Sequence, residues 1–139
     1  MTKKRDLLSR EGRVLECTID IHVRAAGGKT SRSRDSAHYL IVEGDFTEPL
    51  KGITKFLLQV SPDPEPSLGA RDMPCVGSVF QVKPTIQAGA TLTPAEFQSL
   101  LVLASSGTLR SVTMVFQAPH YGHGLIASLS FSSRAPEVE

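Results

Sequence analysis

Strict alternation of apolar and polar side chains begins at Leu15. Leu15, Cys17, Ile19, Ile21 and Val23 fall on one side of an extended chain, and Glu16, Thr18, Asp20, His22 and Arg24 on the other. This predicts a long strand with one dry face, its register set by the five apolar positions. A second strand is predicted from His38 to Phe46, centred on Tyr39-Leu40-Ile41-Val42, with a bulge or bend at Glu43-Gly44-Asp45. The chain turns from Pro49 to Gly52, and a third strand runs from Ile53 to Val60. Val76 to Val82 reads as a fourth, and Pro84 places its end at a sheet edge.

Between the fourth and fifth strands the period changes from two to 3.6. Thr93 can cap a helix, Pro94 suits its first position, and Glu96 completes a capping box. Phe97, Leu100, Leu101 and Ala104 then form an apolar stripe, and Gly107 ends the helix, which is predicted over 94–106. Alternation returns twice. Val112, Met114 and Phe116 form one apolar row; Leu125, Ala127, Leu129 and Phe131 form another, with a serine-rich face turned to water. Val115 and Ile126 interrupt the polar side of that last hairpin and suggest a small dry patch.

These elements predict a strand-dominated α+β domain: an antiparallel sheet of about six strands with one helix packed on it. A β-sandwich with one helix is the alternative. Parallel pairing is not expected, because one helix supplies too few crossovers. The helix stripe and Leu15, Ile19 and Ile21 are expected to shield the same layer. Residues 1–12 read as a polar tail, 13–133 as a single domain and 134–139 as a second polar tail.

Composition narrows the function classes without choosing among them. The chain has 139 residues, with 15 basic and 14 acidic side chains, so there is no global field to recruit nucleic acid or an acidic membrane. The charge is uneven, however: residues 1–34 hold nine of the basic residues and only four acids. No apolar run reaches the roughly 18 residues that span a bilayer, and no signal peptide is expected, which points to a cytoplasmic protein. Cys17 and Cys75 are the two cysteines and read as buried thiols rather than a disulfide. Asn is absent, so tight turns must be made without Asn-Gly.

Candidate chemistry is sparse. Gly27-Gly28-Lys29-Thr30 resembles the end of a phosphate-binding loop, but Val23 stands where the motif needs glycine and no helix follows. Arg24, Lys29, Arg32 and Arg34 gather a basic cluster in and beside the loop 25–37, a possible contact for nucleic acid or another polyanion; stacking aromatics are not interleaved with them. His120, Tyr121 and His123 form a second candidate binding site in a turn. Two imidazoles there would need His22, His38 or an acid to complete a metal shell, and no metal or other cofactor is expected. Asp20 and His22 are weak catalytic candidates, since an Asp can orient a His base. Glu16 and Asp20 lie about 13 Å apart by strand rise, too far for a pair of carboxylates flanking one glycosidic bond. No Gly-x-Ser-x-Gly elbow supplies a nucleophile.

The expectation is therefore a non-catalytic interaction module that binds a protein partner or its own copy, the latter as a homo-oligomer, without membrane contact. The Leu15–Val23 and Leu125–Phe131 strands are its candidate edges. A polyanion binder using the basic segment is one rival. A small metal-dependent or hydrolytic enzyme built on His and Asp residues is the other.

Overall fold

The computed structural model describes residues 6–25, 34–63 and 74–137. Seven strands and one helix follow in the order β1 (Leu7–Ala25), β2 (Arg34–Leu50), β3 (Ile53–Pro62), β4 (Gly77–Gln81), β5 (Ile86–Leu92), α1 (Pro94–Ser105), β6 (Ser111–Gln117) and β7 (Gly124–Ser132). The domain is strand-dominated with one helix, as the patterning predicts. The sheet, however, is neither open nor a sandwich. It closes on itself as a seven-stranded barrel in the order β1-β2-β3-β5-β4-β7-β6.

Three features separate this barrel from the expected six-stranded antiparallel sheet. First, β1 begins at Leu7, where Leu7–Arg13 pair with Ser111–Gln117 of β6. Part of the polar stretch that reads as a tail thus closes the barrel. Second, Ile86–Leu92 is a strand. Its inward side chains are Ile86, Ala88 and Ala90, and the Ala88-Gly89-Ala90 stretch has too little strand propensity for the run to show strong strand character. Pro84 lies in the bend before it rather than at an edge. Third, β3 and β5 pair in parallel. A parallel neighbour needs a long crossover, usually helical; here the chain between them, including β4, makes it, because β4 pairs on the far side of β5.

Inward-facing residues from β2, β3, β5 and β6 fill the barrel with Leu40, Val42, Phe56, Leu58, Ile86, Val112, Met114 and Phe116, all at most 2% exposed. Four ladders carry a register shift, and two of these β-bulges decide which residues face the core. One lies between Val14 and Glu16 in the β1–β2 ladder, the other opposite Val115–Phe116 in β7. The second turns Ile126 fully inward, so the dry patch expected there does not exist. Leu129 and Phe131 pack against the core from further along β7.

The helix forms as its start signals dictate. Glu96 N–H donates to Thr93 Oγ1 at 3.2 Å, and Thr93 N–H donates to Glu96 Oε1 at 2.8 Å. Phe97 and Leu100 are buried in the core, with Leu101 and Ala104 packed beside them. The helix lies against β3 and β5. The expectation that it shares a layer with Leu15, Ile19 and Ile21 fails: those three are 64, 41 and 59% exposed.

Candidate functional site

That failed expectation locates the most unusual surface of the molecule. β1 and β2 are 19 and 17 residues long, far beyond the usual five or six. The barrel uses only part of each. β6 pairs with β1 as far as Arg13, and β3 pairs with β2 from Leu40 onward. Asp20–Ala25 and Arg34–Tyr39 continue as a two-stranded ribbon, paired from Asp20↔Tyr39 to Ala25↔Arg34. Among the described residues no further strand lies on either side of it.

Opposed residues in an antiparallel ladder share a face. One face carries Cys17, Ile19, Ile21 and Val23 opposite Val42, Leu40, His38 and Ser36. Its first two pairs stand over the core, where Val42 and Leu40 are fully buried. Its last two run beyond it. Ile21 and Val23 are therefore open to water as part of a continuous aliphatic row with Ile19. The other face carries Thr18, Asp20, His22 and Arg24, with Tyr39 opposite Asp20. The Tyr39 ring meets His22 edge-on, centroids 6.4 Å apart.

Asp20 and His22 are neighbours on this open face, as the alternation predicts. Four grooves on the surface of the described residues are lined by other side chains, without Asp20 or His22. His38 belongs to the opposite, aliphatic face. His120 and His123 sit in the β6–β7 turn, beyond the end where Leu7 pairs with Gln117. Along β1, Asp20 is thirteen residues from Leu7, about 40 Å of extended chain. The four histidines are thus divided between opposite ends of the long strand, and no group of three His, Cys, Asp or Glu among the described residues could hold a metal ion.

The 120–123 turn is a tight hairpin. His120 N–H donates to His123 O at 2.8 Å and His123 N–H to His120 O at 3.1 Å. Tyr121 and Gly122 both have positive φ, 53° and 80°, the backbone of a type I′ turn. The ring of Tyr121 stacks on His120 at 4.3 Å and is itself 90% exposed.

Of the basic cluster, Lys29 and Arg32 lie outside the described residues, as does Gly27-Gly28-Lys29-Thr30. Arg24 is placed on the polar face of β1, and the backbone of Arg34 starts β2 opposite Ala25. Strand pairing thus shortens the expected loop 25–37 at its far end and brings the two arginine positions to the end of the ribbon.

Cys17 is half-buried where β1 leaves the core. Burial, with a smaller contribution from the neighbouring Glu16 carboxylate, raises its thiol above the ordinary range. Cys75 lines an open groove on the outer face of β3, β5 and β4 with Gln59, Ser61, Ser78, Thr91 and the ring of Phe80. Phe80 is exposed at the register shift between the inward Val79 and the half-buried Gln81.

Among the described residues, no helix is long and apolar enough to cross a membrane. The chain matches no protein-family model, no curated protein and no solved structure.

Proposed function

We propose that the protein is a non-catalytic interaction module that binds a protein partner or its own copy through the β1–β2 ribbon. One observation carries this reading: the aliphatic row Ile19, Ile21 and Val23 remains 41–59% exposed on a ribbon with open edges. Single exposed aliphatic residues are ordinary on protein surfaces. A contiguous row on a projecting ribbon is a different case, because it combines apolar area with unpaired backbone groups. Strand addition to such an edge draws affinity from main-chain hydrogen bonds and specificity from alternate side chains.

The test is photocrosslinking in cells that make the protein. A photoreactive residue replaces Ile21 in one variant and Lys55, on the barrel, in a second. A discrete adduct specific to position 21 supports the reading, whether it joins two copies or two different proteins. Absence of an adduct, or equal labelling at both positions, rules it out.

A second reading has one observation in its favour. Pairing brings the Arg24 and Arg34 positions together at the end of a two-stranded ribbon, and such ribbons can enter a nucleic-acid groove. Binding of this kind weakens steeply as salt rises. The row of Ile19, Ile21 and Val23 argues against it, since phosphate contacts use charged and polar groups.

A further inference from the structure

We propose that the partner of the ribbon is a second copy of this chain, with β1 pairing antiparallel to β1 across a two-fold axis at Ile21. This deepens the interaction-module reading and rests on it.

The choice of occupant starts from the ribbon's incompleteness. An isolated two-stranded ribbon is marginal in water, and three or more strands are needed for independent stability. Pairing β1 with its own copy joins two ribbons into one four-stranded sheet. The edge of β1 also lacks two of the usual defences. From Cys17 to Ala25 it contains no proline and no lysine, the residues that commonly blunt an exposed edge. It is the longer of the two open edges, since β2 gains β3 as a neighbour at Leu40.

Symmetry then limits the register. In a two-fold antiparallel pair, residues i and j face each other with a constant sum. An odd sum sets Ile21 against Asp20 or His22 of the other copy and mixes the apolar and polar faces. An even sum keeps them apart. Centring on Asp20 places that carboxylate against its own copy. Centring on His22 places two imidazoles together and leaves Ile19 against Ala25. Centring on Ile21 avoids both conflicts. Ile21 meets Ile21, Ile19 meets Val23 and Cys17 meets Ala25. On the other face, Asp20 meets His22 twice, once on each side of the axis. The aliphatic row decides between the registers, since centring on His22 would also set opposite charges, Asp20 and Arg24, against each other; Asp20 opposite His22 is compatible with the Ile21-centred choice.

The purified full chain is examined by sedimentation velocity over a range of concentrations, beside His22→Asp and the double exchange Asp20→His with His22→Asp. The single change sets carboxylates against each other at two symmetric places and weakens the dimer roughly tenfold. The double exchange restores the complementary pair and returns the dissociation constant to near that of the unaltered chain. A chain that stays monomeric at all concentrations overturns the second-copy assignment. A dimer indifferent to His22→Asp, or one that the double exchange fails to restore, overturns the register. If the purified chain is monomeric but position 21 crosslinks to a different protein in cells, this inference fails while the interaction-module reading stands; if neither association occurs, both fail.

Discussion

Ile19 and Leu40 face each other across the β1–β2 ladder, yet Leu40 is fully buried and Ile19 is 41% exposed. The boundary of the core runs between these two side chains. Leu40 is covered from the barrel side, where it also pairs with Val60 of β3; Ile19 has a neighbouring strand on one side only. Truncation should expose the difference. Leu40→Ala should cost about 2–5 kcal/mol of folding stability, and Ile19→Ala no more than about 1 kcal/mol. Urea unfolding of the two variants at low protein concentration measures both.

The floor of the barrel depends on two missing side chains. Phe46 and Phe56 stack with centroids 4.6 Å apart. A Cβ on Gly12 would overlap Cε1 of Phe56 and stand 2.9 Å from its Cζ, whereas a Cβ on Gly44 would run into the carbonyl oxygen of Arg13. Gly12→Ala should therefore cost about 1–3 kcal/mol, and Phe56→Leu in the same chain should recover part of that loss. Gly44→Ala should be rescued less by Phe56→Leu, because trimming the ring removes its contact at 2.9 Å from Phe56 Cζ but leaves the clash with the Arg13 backbone. A double-mutant cycle from denaturant unfolding distinguishes the two glycines.

The β2–β3 hairpin turns through Lys51 and Gly52, both with positive φ, 50° and 80°. This backbone prefers Asn, Asp or Gly at its first position. Lys51 is exposed and sits there at a conformational cost. Lys51→Asn should raise stability by about 0.5–1 kcal/mol, read as a shift of the urea midpoint with an unchanged slope.

The elevated thiol of Cys17 sets a pH dependence. Burial, with a smaller contribution from Glu16, favours its protonated form in the folded state. Stabilisation from this site is present below the unfolded thiol's ordinary range. It is lost as pH rises through the higher folded value. The folded protein should therefore lose stability on the alkaline side, and Cys17→Ala should remove that component. At pH 8, Cys17 should react with Ellman's reagent more slowly than the same thiol in urea.

What could be read from the residues alone follows from how local the causes are. The helix was legible because Thr93, Pro94, Glu96 and Gly107 act within a few positions of one another. β5 was not, because Ala88, Gly89 and Ala90 carry little strand propensity and gain their place from β3 and β4. The bulges at Leu15 and in β7 were hidden because each depends on the count of residues in a partner strand. The candidate site illustrates the same limit. Alternation from Leu15 to Val23 looks identical on a strand sealed within a core and on one that runs past it. Only the lengths of β6 and β3, which stop at Arg13 and begin at Leu40 on their neighbours, separate the two. The histidines failed to converge for a related reason: His22 stands near one end of β1, and His120 lies in the β6–β7 turn beyond the other.

Backbone amide exchange along Cys17–Ala25, followed at several concentrations of the purified protein, tests the ribbon most directly. Self-pairing predicts rapid exchange at the open edge in dilute solution and progressive protection of the same amides as concentration rises, with the barrel strands unchanged throughout. Exchange that is equally fast at every concentration would contradict self-association through this edge; equally slow exchange at every dilution would contradict an open edge altogether.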